Sequence, residues 1–234
     1  TVFYYKNRPA QEVKAVSDLA EDQYFIRCEL ERLGLVSFVA DGSILPRESG
    51  ISSRPMKGSV PFQSPDSLRM ELNLPHGGRI TGMGICRGIT LIVGGGYHGK
   101  STLLKALESG VYNHVAGDGR EYVITDSTAM KLRAEDGRSV QNVDISLFIN
   151  DMTNKKDTHC FSTEDASGST SQAAAVIEGI EAGSRVFLID EDTSATNFMV
   201  RDDLMQKIIS RDQEPITPFI ERARVLYEKS GISK

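Results

Sequence analysis

A glycine-rich stretch near the middle of the chain carries the clearest chemistry. Residues 94–101 read GGGYHGKS, which satisfies the pattern G-x-x-x-x-G-K-S. The stretch follows the apolar run TLIV and precedes STLLKAL, an order that predicts a strand, a loop and a helix. Glycines let successive backbone N–H groups turn toward one anion, and the helix N-terminus adds partial positive charge. The pattern therefore predicts a P-loop, which binds the phosphates of a nucleotide.

Each position of this loop has an expected role. Lys100 is expected to reach the β- and γ-phosphates, and the Ser101 hydroxyl is expected to ligate Mg²⁺. The backbone around the phosphates is expected to come from Gly94, Gly95, Gly96, Tyr97, His98, Gly99, Lys100, Ser101 and Thr102. The predicted cofactors are ATP or ADP, together with Mg²⁺.

An apolar run that ends in acidic residues supplies a second element. Residues 186–192 read VFLIDED, which is typical of a buried strand that ends at Asp190 and Glu191. An aspartate there suits the coordination shell of Mg²⁺, and a glutamate beside it can accept a proton from an attacking water. Because apolar strands often end in acids, the assignment depends on the neighbouring residues.

Two further blocks provide that context. DASGSTSQ, residues 165–172, precedes the acidic strand, and DEDTSATN, residues 190–197, contains its end. In this order and spacing the chain resembles the ABC-class ATPases, in which a signature LSGGQ, a helix and an apolar strand lead to DEPTSALD. Ser167, Gly168 and Ser169 take signature positions, although Ala, Ser and Thr replace Leu, the second Gly and Gln.

The resemblance implies how the nucleotide site is completed. In ABC-class ATPases two nucleotide-binding domains pack head to tail, and the signature of one contacts the γ-phosphate on the P-loop of the other. We therefore expect a homodimer that hydrolyses ATP with Mg²⁺. Glu191 and Lys100 are expected to be catalytic, and Ser101 and Asp190 to hold the metal.

A glutamine beyond the P-loop is expected to join the catalytic group. Gln141, in RSVQNVDI, lies about where the family places it, and Asp144 or Ser146 are alternatives. The stretch between Gln141 and Ser167 is too short for the helical subdomain that docks an ABC transporter on its membrane partner. The sequence also contains no run of 18 apolar residues, so we expect neither transport nor a membrane partner.

Two features of the family are not found in the sequence. An aromatic partner for adenine is expected before the P-loop, but residues 69–79 offer only His76 or an arginine. No histidine follows Asp190, where most ABC ATPases have a switch histidine. We therefore expect that the last strand of the domain, and further sequence on both sides, belong to a longer polypeptide.

Long sequence blocks narrow the resemblance to the soluble "predicted ATPases of the ABC class". The blocks are FVADGSILPRESGIS, GVYNHVAGDGREYVITD, RAEDGR, FSTEDASGSTSQAA and DEDTSATNFM, within about residues 33–234. A dimeric, RNA-binding editing factor of kinetoplastid mitochondria is one member of this group. A match to that member implies RNA as a partner, a multiprotein editing complex and a mitochondrial location. Without that match a cytoplasmic location is expected.

Composition limits what the residues alone say about partners. The net charge of −5 excludes a bulk attraction to nucleic acid or anionic membranes. A Gly/Pro/Ser-rich loop carries Arg47, Arg54 and Lys57, which are candidate RNA contacts. Three widely spaced cysteines indicate free thiols in a reducing compartment. Two alternatives remain: an ABC-type ATPase of protein-complex assembly, and a P-loop kinase that does not need Ser167.

The patterns together predict an α/β fold, a P-loop ABC-type ATPase core. This core has a mixed central sheet flanked by helices, an added antiparallel β layer and a short signature subdomain. We expect a helical segment at 1–35 and a nucleotide-binding domain at 36–234. Strands are predicted in LVSFVADGSILP, SLRMELNL, GRITGMGI, GITLIVGG, EYVITD, AMKLRAEDGRSV, VDISLFI and RVFLIDED, and helices in residues 9–35, 101–109, SQAAAVIEGIEAG and EPITPFIERARVLYEKSGI.

Overall fold

The computed structural model describes residues 5–150, 157–200 and 214–233. The chain divides into two compact units, Thr1–Ser127 (unit 1) and Thr128–Lys234 (unit 2). Each unit has its own cluster of buried apolar side chains. Among the described helices, none has both the length and the apolar character that crossing a bilayer requires.

Unit 1 is built on a four-stranded antiparallel sheet. Its helices and strands are α1 Ala10–Arg32, β1 Leu35–Ala40, β2 Arg69–Leu74, β3 Gly78–Cys86, α2 Lys100–Ser109 and β4 Val123–Thr125, with 3₁₀ turns at Tyr5–Asn7 and Asp66–Leu68. The strand order is β2-β3-β1-β4, and every neighbouring pair is antiparallel. This sheet matches the antiparallel layer that the sequence predicts.

Helix α1 covers this sheet with its C-terminal half. Ile26 and Leu30 are buried against Phe38 of β1, whereas residues 11–17 are exposed. The helix ends where Gly34 adopts a φ of 67°, a left-handed conformation that glycine adopts without strain. Burial of Ile26 and Leu30 therefore holds this half of α1 on unit 1, together with hydrogen bonds from Gln23 Nε2 to the main-chain oxygens of His114 and Glu121.

Unit 2 combines one parallel and one antiparallel strand pair with helices. Its elements are β5 Ala129–Leu132, β6 Arg138–Val143, β7 Phe161–Ala166, α3 Gly168–Glu181, β8 Val186–Ile189, a 3₁₀ turn Glu191–Thr193, α4 Thr196–Met199 and α5 Phe219–Ser230. Strands β5 and β8 are parallel, and β6 and β7 are antiparallel. Ser233 forms a parallel bridge with Val186 on β8. The mixture of pairings agrees with the predicted α/β class.

Three phenylalanines lie at the centre of unit 2. Phe148, Phe198 and Phe219 pack with ring centroids 5.0, 6.1 and 5.8 Å apart. Such contacts between aromatic rings add to the free energy of burying them. The cluster joins the segment after β6 to α4 and α5, and so fixes the region that follows the acidic pair.

The sequence prediction of strands is wrong in three places and misses one strand. GITLIVGG has no strand pairing among the described residues, and Leu91 and Val93 are 83% and 76% exposed. In VDISLFI only Val143 belongs to a strand, because the amides of Phe148 and Ile149 both bond to the Ile145 carbonyl and form a turn. Residues 43–46 are likewise outside any strand. The missed strand is β7.

Candidate nucleotide site

The P-loop, residues 94–99, leads directly into α2. Gly99 is the N-cap of α2 with a φ of 84°, and Tyr97 has a φ of 61°. These two left-handed residues turn the backbone toward the helix axis. The first intrahelical bond of α2 runs from Leu103 N to Gly99 O at 2.9 Å, so the amides of residues 100–102 have no partner within the helix. Amides without an intrahelical partner at a helix N-terminus are suited to bind phosphate.

The lysine of the loop lies across the loop itself. Lys100 Nζ donates to the main-chain oxygens of Gly94 at 2.5 Å and Gly95 at 2.8 Å. The His98 ring lies against Gly95, where a Cβ atom would be 2.8 Å from His98 Cε1. Only glycine therefore fits at position 95 without a shift of the ring. The ammonium group and the first amides of α2 lie in one short stretch of the chain, and the binding of phosphate by this stretch stays a prediction.

The acidic pair follows a buried strand. Val186, Phe187 and Leu188 of β8 are buried, Asp190 is half-buried and Glu191 is exposed. Oxygen ligands from a half-buried carboxylate suit Mg²⁺, and an exposed carboxylate is accessible to water. The strand ends at the acids because a 3₁₀ turn begins at Glu191.

The signature residues form the start of α3. Ser167 is the N-cap, and its Oγ accepts a hydrogen bond from Thr170 N at 3.4 Å. The first intrahelical bond runs from Ser171 N to Ser167 O at 2.8 Å, so the amides of Gly168 and Ser169 have no partner within the helix. Helix α3 therefore presents two amides at its N-terminus, and the Ser167 hydroxyl beside them lies 3.0 Å from Thr170 Oγ1.

An open depression of about 620 Å³ lies at this N-terminus. It is lined by residues 167–169, by residues 192–197 and by Ala134 and Asp136. The structure thus brings the signature residues together with the segment that follows the acidic pair, both within unit 2. Sequence reasoning did not select Asp136, although it belongs to the RAEDGR block.

The loop around Asp136 is fixed on both sides. Ala134 N donates to Thr193 O at 2.8 Å, and Glu135 N donates to Ser171 Oγ at 2.9 Å. A Cβ atom on Gly168 would lie 3.1 Å from Asp136 Oδ1. The loop therefore contacts both the signature helix and the segment after the acids, and a side chain at position 168 would require Asp136 to shift by a few tenths of an ångström.

The contacts described for Gln141 and Arg47 are with residues outside the P-loop, the acidic pair and the signature. Gln141 is exposed on β6, and its Nε2 donates to Ser139 Oγ at 3.3 Å. Arg47 is 14% exposed and forms an ion pair with Asp118. Arg54 and Lys57 are exposed, so they are the RNA candidates whose side chains face solvent.

The flat side chains before the P-loop are engaged with other residues. His76 Nε2 lies 2.7 Å from Glu21 Oε2, a hydrogen bond that raises the pKa of His76. Arg69 Nη1 lies 2.9 Å from Asp66, and Arg79 pairs with Glu71. Residues 69–79 therefore present no unengaged imidazole or guanidinium as an adenine partner.

Comparison with known proteins identifies the family of the chain. The family model of the ABC_ATPase P-loop domain matches residues 9–234. Uncharacterized protein MJ1628 of Methanocaldococcus jannaschii is 32% identical over 213 residues, which cover 83% of this chain and 47% of that protein. The chain belongs to the ABC ATPase family of P-loop proteins. It spans about half the length of the curated relative it matches.

Family membership confirms the predicted P-loop class and supports a nucleotide-binding ATPase. The roles of individual residues stay predictions, as do the homodimer and the RNA partner.

Proposed function

We propose that this chain binds ATP at residues 94–102, hydrolyses it with Mg²⁺, and dimerises around the nucleotide through residues 167–169. The observation that carries this proposal is the open depression at the N-terminus of α3. The signature residues and the segment after the acidic pair line the same depression, which is the arrangement an ATPase needs if nucleotide contact and hydrolysis are to depend on each other.

The depression has the donors that a γ-phosphate requires. Two amides lie at the start of a helix of 14 residues, and the Ser167 hydroxyl beside them, which donates to Thr170 Oγ1 in this structure, is proposed to turn to the phosphate. The partial positive charge of a helix N-terminus favours an anion there. A second copy of the chain is the proposed source of that phosphate, because the resemblance to ABC-class ATPases implies head-to-tail pairing.

The side chains available also fit a nucleotide with Mg²⁺. The Ser101 hydroxyl and the Asp190 carboxylate are the oxygen ligands that Mg²⁺ prefers. Among the described residues, no group of three His, Cys, Asp or Glu side chains is placed to hold a metal alone. Phosphate oxygens and water would complete such a shell, and Mg²⁺ would supply neutralisation of the charge on the phosphates. Lys100 supplies a further positive charge, and Glu191 accepts a proton from water.

The variant Glu191→Gln tests the proposal. It keeps the size of the side chain but cannot accept the proton, so ATP binding is expected to persist while kcat falls by about 10²–10⁴. The variant should accumulate as an ATP-bound dimer, which light scattering after size exclusion measures. Glu181→Gln, which changes an exposed glutamate at the end of α3, serves as the control with unchanged turnover. Full turnover in Glu191→Gln removes Glu191 from its role.

The variant Ser167→Arg separates the ATPase from a kinase. A long cation at the N-cap blocks the depression, so we expect loss of ATP hydrolysis with unchanged affinity for ATP. A kinase that acts as a monomer would keep its activity and transfer phosphate to an acceptor. Retained ATPase activity in Ser167→Arg would contradict the role proposed for the signature in the dimer.

We also propose that nucleotide-dependent dimerisation is coupled to RNA binding. Arg54 and Lys57 support this proposal because they are exposed cations on one long loop. Fluorescence anisotropy with labelled single- and double-stranded RNA, with and without ATP, should show an affinity that changes with nucleotide and falls in Arg54→Ala/Lys57→Ala. If ATP leaves RNA affinity unchanged and a protein partner co-purifies, a role in protein-complex assembly is favoured instead.

A further inference from the structure

A buried amide joins helix α3 to the segment after the acidic pair. The side chain of Gln172 is 0% exposed. Its Oε1 accepts a hydrogen bond from Ala195 N at 2.8 Å, and its Nε2 donates to Ser194 Oγ at 3.1 Å. Nε2 also lies 3.6 Å from Met199 Sδ. A fully buried polar side chain is stable only when it has partners of this kind.

The hydrogen bonds of this group have a fixed direction. Ala195 N–H can only donate, so the amide oxygen of Gln172 must face it. Ser194 has one hydroxyl hydrogen, which is donated to the main-chain oxygen of Asp190 at 2.8 Å. The Ser194 oxygen must therefore accept from the Gln172 amide nitrogen. The result is a directed chain of contacts from Gln172 through Ser194 to Asp190.

We propose that Gln172 is a positioning residue of the ATPase, which holds the segment from Asp190 to Ala195 against the signature helix through Ser194. This inference rests on the proposed ATPase function. Gln172 acts through its contacts and does not itself touch nucleotide. Its effect is to fix the position of the acidic pair relative to Ser167, which lies at the start of the same helix as Gln172.

Position matters here because the residues that Gln172 contacts belong to the proposed site. Ser194 and Ala195 line the depression together with Ser167. Small errors in the geometry of catalytic groups lower rates strongly. Loss of the Gln172 contacts should therefore lower kcat and leave ATP affinity unchanged, because the P-loop residues 94–102 belong to unit 1.

The variant Gln172→Glu gives a test that depends on pH. A protonated glutamic acid reproduces both contacts, since its carbonyl accepts from Ala195 and its hydroxyl donates to Ser194. An ionised carboxylate can only accept, so it takes the Ser194 hydrogen away from the Asp190 oxygen. Burial raises the pKa of such a carboxyl group above its ordinary value of about 4.3, which brings the change toward neutral pH.

The expected readout is the ratio of kcat for Gln172→Glu to kcat for the wild type at each pH. This ratio should be near one at the acidic end and fall about tenfold through a single titration as pH rises, with KM for ATP unchanged. Among the described residues the amide nitrogen bonds to Ser194 and Met199, and neither side chain titrates, so the ratio reports mainly on the introduced group. Asp190 takes part through its main-chain oxygen.

Ser194→Ala provides the matched control. It removes the link to Asp190, so kcat should fall at every pH, and Gln172→Glu added to it should give no further pH step. A ratio that is flat with pH overturns the inference, as does an equal pH step in the Ser194→Ala background. Thermal unfolding of each variant across the same pH range measures the folded fraction. A pH step that disappears after correction for that fraction also overturns the inference.

Hydrogen exchange separates this inference from the proposed function. The Ala195 amide should be protected in the wild type and should exchange at least tenfold faster in Gln172→Leu, whatever the activity. A wild type that binds ATP without hydrolysing it removes the proposed function and the positioning role together. Suppose instead that the wild type hydrolyses ATP but the kcat ratio for Gln172→Glu does not change with pH, or that the Ala195 amide exchanges equally fast in Gln172→Leu and the wild type. Either result removes only the role of Gln172.

Discussion

Arg47 and Asp118 form an ion pair in which one guanidinium nitrogen bonds to both carboxylate oxygens. Arg47 Nη2 lies 2.9 and 3.0 Å from the Asp118 carboxylate oxygens, and Nη1 donates to the Asp118 main-chain oxygen at 2.7 Å. The two side chains are 14% and 12% exposed. The pair fastens the long loop after β1 to the segment after α2. A guanidinium engaged in this way supports the fold, whereas the RNA contact that the sequence suggested for Arg47 stays a prediction.

Replacement of Arg47 should therefore change stability. Arg47→Ala removes one of two partners of the Asp118 carboxylate and leaves His114 Nδ1, at 2.5 Å, as the other, so the loss in the free energy of unfolding is expected to reach up to about 3 kcal/mol. Urea unfolding followed by circular dichroism measures this change. Arg54→Ala and Lys57→Ala, at exposed positions of the same loop, should each stay within about 0.5 kcal/mol of the wild type. If Arg47→Ala is fully stable but weakens RNA binding, Arg47 is an RNA contact after all.

Two histidines of unit 1 should shape the pH dependence of stability in opposite directions. Burial, followed by the charges of Arg120 and Arg47, lowers the pKa of His114, although Asp118 acts against this shift. The Nε2 atom of His114 is buried and has no hydrogen-bond partner among the described residues. The unfolded chain thus binds a proton more readily at this site, so stability is lost as pH falls from about 6.5 through the pKa of the folded state.

His76 has the opposite shift. Its hydrogen bond to Glu21 raises its pKa, so the folded chain binds the proton more readily. That contribution is fully present below about pH 6.5 and is lost as pH rises through the pKa of the folded state. Melting temperatures between pH 5 and 8 should therefore fall less on acidification in His114→Gln than in the wild type, and should fall more in His76→Gln. Equal profiles for the two variants would contradict the assignment.

The packing of α3 on its strands gives a further prediction. A Cβ atom on Gly179 would lie 2.6 Å from Met130 Cε and 2.8 Å from Phe187 Cε1. Gly-to-Ala changes inside helices usually stabilise by up to about 1 kcal/mol, but overpacking costs about 1–3 kcal/mol. Because Phe187 is 1% exposed and has little space to move, we expect Gly179→Ala to be destabilising in urea unfolding. Glu181→Ala, at the exposed end of the same helix, should be nearly neutral, and a gain in stability for Gly179→Ala would contradict the close packing.

Local patterns in the sequence predicted the elements that carry their own start and stop signals. Helix α2 follows the glycine loop, and α3 ends before Gly183, which has a φ of 84°. Strand β7 was missed because FSTEDA has only its two end residues, Phe161 and Ala166, fully buried, so it shows no apolar alternation. The periodicity of a strand depends on which face is covered, and that is decided by residues distant in the sequence.

Features that depend on partners distant in the sequence were harder to predict. The apolar run at residues 89–93 predicts a buried strand, yet a strand forms only where another strand pairs with it. Gln172 is similar, because the sequence shows a glutamine inside an apolar helix but not its bonds to Ser194 and Ala195. The ion pair of Arg47 with Asp118 was also not predicted, because it connects residues on two loops that are distant in the sequence.

The last prediction concerns the conformation of the P-loop. Tyr97 has a φ of 61° and a fully exposed side chain, so the ring gains little from packing while the backbone is strained. A left-handed conformation costs a residue with a Cβ atom roughly 1–2 kcal/mol, and glycine avoids that cost. Tyr97→Gly should therefore keep the affinity for ATP. Tyr97→Val should weaken that affinity about tenfold, because a β-branched residue strongly disfavours a positive φ.

Isothermal titration with ATP, in the presence of Mg²⁺, distinguishes an effect of the backbone conformation at position 97 from an effect of the tyrosine ring. Tyr97→Phe, which keeps the ring and the Cβ atom, should bind like the wild type. If Tyr97→Gly loses affinity while Tyr97→Val keeps it, the tyrosine ring itself contacts the nucleotide and the backbone conformation is not what decides binding. The expected order, with Gly equal to Tyr and Val below both, would instead mean that position 97 acts through its φ angle, as glycines in phosphate-binding loops do.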